Sequence, residues 1–282
     1  MPMNPRWTFG ADFSIRPGGN YDIKKDGEMV ECGTTGAFSK AGLRASYAIV
    51  SKGATRVQVN ARYTHIYQAF DSQTKTVDYG LQEHSHHYMT GGLMGMTRLK
   101  LWDKSLMVMA LVNADFSNHG YERWSAMGTA MLMLKQSRET QLGVGFICLI
   151  NTFSRVPIFP FATYRHQFDA YWTLNLNLPR FQMEYRPNKS ILWSLGAGID
   201  ADSYYLRTAG DNLPGKVRYS RTNINMGPGF EYTLPGHLKL IADAGVQVVM
   251  TNRIYNSGSS RRLATIHEKA APYLHIGIQK QF

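Results

Sequence analysis

The feature that most constrains this chain is a strict alternation of apolar and polar residues, repeated along nearly its whole length. The last segment, "APYLHIGIQKQF", puts Leu274, Ile276, Ile278 and Phe282 on one face, and Tyr273, His275, Gly277, Gln279 and Gln281 on the other. "WTFGADFSIR", "RVQVNARYTHIY", "SLMVMALVNADF", "QLGVGFICLIN", "ILWSLGAGIDAD" and "HLKLIADAGVQVVM" do the same. Side chains alternate across a β-strand, so each is a strand with one greasy and one wet face. No apolar run approaches the roughly 18 residues of a spanning helix, which excludes helical membrane spans. Barrel strands remain, because each needs to be apolar on one face only.

The segments are about ten residues or longer, the length of a tilted strand crossing a bilayer. Counting predicts fourteen strands, at 6–16, 33–50, 54–69, 86–101, 104–116, 123–137, 140–152, 157–167, 170–177, 180–187, 191–206, 217–234, 237–252 and 270–282. Short turns ("SKGA", "WDKS", "SRET", "HQFD", "PNKS", "LPGH") alternate with longer polar loops at 17–30, 71–86, 117–123, 207–216 and 253–269. Two brief connections, around 153–156 and near "LPR", fall on the long-loop side. Short turns on one rim and longer loops on the other is the outer-membrane arrangement. The fold class expected is therefore all-β, a closed antiparallel transmembrane β-barrel, with residues 1–282 as one domain. If the short strands 170–177 and 180–187 formed a hairpin outside the wall, the count would be twelve. The faces predict that Val57, Leu142, Leu195, Val246 and Ile276 meet lipid, and that Gln247 is a wet lumen position.

Composition narrows the partners less. A net charge of +11 and a pI of about 9.6 suit nucleic acid, anionic head groups or acidic ligands alike. The basic residues alternate into strands instead of forming a surface stripe, which argues against nucleic acid. Cys32 and Cys148 allow one disulfide by count. The start "MPMNPRWTF" has neither a charged stretch nor an apolar one, so either a leader has been removed or none is needed.

The alternating C-terminal segment ending on Phe282, and the stretch "FPFATYRHQFDAYWTLNLNLPRFQMEYRPNKSILWSLGAGIDADSYYLR", resemble Gram-negative outer-membrane β-barrel proteins of an uncharacterised family. The resemblance covers the C-terminal half. It implies a barrel in the bacterial outer membrane among lipid and lipopolysaccharide, with Phe282 as the signal read by the barrel assembly machinery. A mitochondrial outer-membrane porin is the alternative. Such porins begin with an amphipathic helix, whereas "NPRWTFGADFSIRP" alternates.

Three constellations could carry chemistry. Lys40, Arg44, Arg56 and Arg62 lie on the inner faces of two adjacent strands, and Asp200, Asp202, Glu231 and Asp243 on those of three later ones. Spaced around a ring, the two sets are expected to share a cross-section without pairing and to set a transverse field. The competing reading is a filled barrel whose charges pair. Inner-face glycines such as Gly143, Gly145, Gly196 and Gly198 favour open space. Met94, Met96, Met107 and Met109 point into the lumen; thioethers hold Cu(I), but filling irregular space is their ordinary role. Met131 and Met133 lie on a strand whose two faces are both apolar. "EHSHH" places Glu83, His84, His86 and His87 in a long loop; imidazole binds zinc or copper, yet the spacing fits no closed site.

Catalysis has weaker support. His65, Ser154, His166 and Ser203 are available, but no G-x-S-x-G elbow links them. No dinucleotide fingerprint, paired cysteines or His-Glu-x-x-His is present, so no catalytic residue and no cofactor is assigned. The reading favoured is a passive pore for small solutes. A lipid-modifying enzyme and a structural barrel with a plugged lumen are the alternatives.

Overall fold

The computed structural model describes residues 7–75, 85–118, 120–150, 158–207, 215–257 and 261–282. Its elements are all strands: β1 Trp7–Arg16, β2 Asn20–Lys25, β3 Glu28–Thr35, β4 Phe38–Lys52, β5 Thr55–Tyr67, β6 Phe70–Lys75, β7 Ser85–Leu101, β8 Lys104–Ser117 and β9 Gly120–Gln136. They continue as β10 Thr140–Ile150, β11 Ile158–Gln167, β12 Trp172–Asn177, β13 Arg180–Tyr185, β14 Ile191–Arg207, β15 Lys216–Leu234, β16 Leu238–Asn256, β17 Arg262–Glu268 and β18 Ala271–Gln281.

Fourteen of these close into an antiparallel wall, β1–β4–β5–β7–β8–β9–β10–β11–β12–β13–β14–β15–β16–β18 and back to β1. The seam pairs Thr8 with Gln281 through Ile15 with Leu274, and Phe282 N–H donates to the Trp7 carbonyl at 2.9 Å. Closure leaves no strand edge at the seam, as lipid requires. The fold is that of a bacterial outer-membrane β-barrel. The short strands β12 and β13 belong to the wall, β12 on β11 and β13 on β14, which sets aside the count of twelve. The even count and a strand at the described N-terminal end depart from mitochondrial porins, which have nineteen strands.

The outer face is apolar where the alternation put it. Leu195, Val246 and Ile276 are exposed, as are Leu43, Val59, Leu93, Val112 and Phe146. Aromatic pairs band the short-turn rim: Trp7 on Tyr47 at 4.5 Å, Trp172 on Tyr185 at 4.8 Å and Trp193 on Phe230 at 4.6 Å. Such girdles sit at the interfaces of membrane barrels. One turn on this rim, Trp102–Asp103, has positive φ at both residues (47° and 61°), the two-residue hairpin form that follows strand twist.

The other rim differs from expectation. Residues 17–30 and 253–269, read as polar loops, are largely strand, and the segment 33–50, read as one strand, is broken between β3 and β4. Strands β17, β2, β3 and β6 pair in that order onto the far end of β16, where Ile254 meets Ala264. This rim layer turns inward. Tyr21, Ile23, Val30, Ala264 and Ile266 from it form one buried cluster with Phe38, Ile66, Tyr204, Val217, Tyr219 and Ile254, which line the wall's inner face. The chain enters the layer at Gly18, where a Cβ would fall 1.9 Å from the Thr35 carbonyl oxygen, so only glycine passes. The alternation in "NYDIKK" and "RLATIHE" is real but short and broken by charges, so it resembles loop.

Cys32 and Cys148 lie in β3 and β10 and are both free thiols. Glu83, His84 and Ser154 fall outside the described residues.

Candidate functional site: the lumen

Inner-face residues follow from the register. On β4 and β5 the exposed Leu43, Val59 and Tyr63 face outward, so Lys40, Arg44, Arg56 and Arg62 face inward. The later acids also face in, but the two sets are not held apart. Lys40 Nζ lies 2.6 Å from Asp202 Oδ1 and 3.4 Å from Asp200 Oδ2. In the wall β4 and β14 are separated by β1, β18, β16 and β15. The pair therefore bridges the lumen, contrary to the expectation of unpaired charge walls.

The bridge exists because the far halves of β14 and β15 lean inward. β13 pairs with β14 only over Trp193–Gly198, and from Ala201 to Arg207 the β14 residues pair with β15 alone. Tyr204 then reaches the His86 ring on β7 at 4.9 Å. Lys216, which opens β15, makes a 2.6 Å ion pair with Glu122 on β9. Arg16, Arg221 and Asn252 converge on the Glu268 carboxylate, which ties the rim layer to β1, β15 and β16. The Glu268 side chain is about 2% exposed, and the Phe38 ring lies under both guanidinium groups at 6.0 and 5.0 Å. Cation–π contact and the shared carboxylate together offset the burial of two arginines. Sequence reasoning missed this knot because both faces of "KVRYSRTNINM" are polar over that stretch.

Toward the short-turn rim the lumen opens. A cavity of about 570 Å³ is lined by Asp12, Arg44, Arg62, Asp200, Asp243 and His275 among others. Glu231 is held by Lys239 at 2.8 Å, and Asp243 by His275 at 3.0 Å and Arg180 at 3.8 Å. A second cavity of about 260 Å³ lies between β14 and the inner face of β5, β7, β8 and β9; Lys40 and Arg62 line both.

The methionines occupy a different sector. Met94, Met96, Met107 and Met109 face inward, with Met96 opposite Met109. Met127, Met131 and Met133 on β9 join them, which resolves the strand that looked ambiguous: Trp124 and Leu134 take its outer face. Met131 accepts a hydrogen bond from the Thr163 hydroxyl at 3.5 Å. The lumen wall is thus methionine-rich in the middle of β7–β9, with the Asp115–Arg123 pair beyond it toward the loop rim, and charged along β12–β16, β18, β1, β4 and β5.

His65 stacks on His87 at 4.7 Å, but His86 and His87 share no face. His86 and His87 lie in β7, not in a loop. Alternation turns His86 inward, buried on Tyr204, and His87 outward, where its Nδ1 is 2.6 Å from the Tyr63 hydroxyl. His65 hydrogen-bonds Ser85 at 2.8 Å, His166 hydrogen-bonds Thr140 at 3.0 Å, and Ser203 sits on β14. These would-be catalytic residues share no hydrogen bond.

The family model described as a domain of unknown function (DUF6268) matches residues 51–281. No curated protein sequence matches the chain. Among solved structures, the COG4313 outer membrane channel from Pseudomonas putida F1 is similar at 12% identity and a TM-score of 0.50, covering 99% of this chain and 97% of that one. A Pseudomonas aeruginosa FadL homologue follows at 10% identity and a TM-score of 0.46, covering 99% and 91%. The P. putida toluene transporter TodX is at 8% identity and a TM-score of 0.41, covering 99% and 93%. At 12% identity the likeness to the first is one of fold alone.

Proposed function

The chain belongs to the DUF6268 family, and on that premise we propose that it is a passive channel for small solutes in the bacterial outer membrane. The observation that carries this reading is the cavity of about 570 Å³ inside a closed wall, lined by charges and small residues such as Gly196 and Gly198. A barrel built only as a scaffold would fill that space, because unfilled polar volume contributes nothing to packing. Aligned charges inside a narrow lumen are the usual means of selecting ions and polar solutes. Lipid head groups on both sides and the assembly machinery at Phe282 are the partners that such a barrel implies.

A plugged structural barrel is the second reading, favoured by the apolar cluster and the Lys40–Asp202 and Lys216–Glu122 bridges across the mouth. Liposome swelling separates the two. Vesicles holding the folded protein should swell in isosmotic glycine or arabinose and not in a large oligosaccharide. Vesicles that stay unswollen in every solute, with the protein folded and inserted, would favour the plug.

A further inference from the structure

We propose that Arg44 and Arg62 form a binding site for the carboxylate of an amphipathic organic acid whose apolar body rests on the methionine wall. This rests on the channel reading for how the acid arrives, but the site stands on its own geometry.

Arg44 and Arg62 are direct cross-strand partners on the inner face. Like charges placed opposite each other destabilise a sheet unless a counter-charge lies between them. The neighbouring cations have one: Lys40 takes Asp200 and Asp202, Arg180 takes Asp243 and Lys239 takes Glu231. Among the described residues, Arg44 and Arg62 make no hydrogen bond or ion pair. Four acids share their cavity, Asp12, Asp200, Glu231 and Asp243. Asp200 is engaged by Lys40, Glu231 by Lys239 and Asp243 by His275 and Arg180, and Asp12 sits opposite Gly42 without an ion pair to either arginine.

The place is shaped for the pair. Gly10 lies opposite Arg44 on β1, and a Cβ there would fall 2.5 Å from Arg44 Nε and 3.1 Å from its Cγ. The arginine lies flat across a position that only glycine leaves open. Two guanidinium forks present paired N–H donors that match the two oxygens of a carboxylate. On the adjacent strand β7, Thr90 is opposite Arg62, and Met94 lies two inner positions nearer the short-turn rim. Four residues of strand span on the order of 13 Å, so an acid group and an apolar body about that far apart would reach both. Thioethers contact aromatic rings favourably, which makes an arylalkanoic acid the fitting class.

The test is equilibrium binding of 8-phenyloctanoate, whose extended chain spans about that distance, to the detergent-solubilised barrel by calorimetry, with acetate and 8-phenyloctanamide beside it. The acid should bind at least tenfold more tightly than either. Arg44→Gln and Arg62→Gln should each weaken it at least tenfold, and each removes one of two like charges, so folding is not endangered. Gly10→Ala, which removes no charge, should weaken it by displacing Arg44. Met94→Ser with Met96→Ser should bring the acid toward acetate. Equal binding of acid and amide, or arginine variants that bind as wild type, would overturn the carboxylate site. Equal binding of phenyloctanoate and acetate would overturn its apolar half. Because binding is read without passage, a barrel that binds but lets nothing through contradicts only the channel reading.

Discussion

An arginine at Ile276 and one at Gln279 should have unlike consequences, although the two lie three residues apart on one strand. Ile276 is about 49% exposed on the outer face; there, near the midplane, an arginine should cost about 2–4 kcal/mol. Gln279 lines the charged cavity, so the same change should cost less than about 1 kcal/mol. Reversible urea unfolding in lipid vesicles measures both, and equal costs would remove the face assignment. Faces were legible in the sequence because period two is unambiguous where one face is apolar. Gln247 shows the limit. It lines the lumen cavity as the alternation predicts, but it is buried there, donating to Asn225 at 2.8 Å and accepting from Arg221 at 3.3 Å. That network depends on cross-strand register, and a bulge between Thr222 and Asn223 shifts the register nearby. Phe282 is a second residue-scale case. It is about 64% exposed and meets Phe9 edge-on at 6.0 Å, so its packing alone contributes little. Phe282→Ala should leave refolding into vesicles near wild type and lower the amount assembled in cells. Equal yield in cells would reduce Phe282 to a packing residue.

At the scale of elements, the rim layer was the least legible part. Its strands β2 and β17 are 6 and 7 residues long and carry charges, so nothing local separates them from loop. What makes them strands is non-local, namely a place on β16 and an apolar cluster shared with the wall. The two arginines that anchor the layer are 205 residues apart in sequence (221 − 16), and Glu268 joins them only after closure. Glu268→Gln would leave two buried guanidinium groups without their carboxylate. Breaking a buried pair in this way costs about 3–5 kcal/mol. The layer should then open without loss of the wall. Trypsin should cut faster at Lys24 and Lys25, which are exposed at the β2–β3 turn, while the heat-resistant gel mobility of the barrel is kept. Unchanged cleavage would mean that the hydrophobic cluster holds the layer unaided.

At the scale of the molecule, the number of strands, the closure and the position of the short turns could all be read from the chain, because each is a consequence of ten-residue amphipathic strands in lipid. The cross-section could not. That β14 leaves the line of the wall to meet β4 and β7 depends on β12 and β13 being too short to hold it, and sequence offers no signal for where an unpaired edge will lean. The result is a lumen narrow at the loop rim and open below, with Arg44 and Arg62 lining the space and Arg56 on the same inner face of β5. The most direct test of the channel reading is single-channel recording in a planar bilayer under a salt gradient. Wild-type protein should give small, discrete conductance steps. Arg56→Glu with Arg62→Glu should shift the reversal potential toward cations, and the shift should shrink as salt screens the field. Folded, inserted protein that passes no current, or a conducting double variant with unchanged reversal potential, would contradict the account.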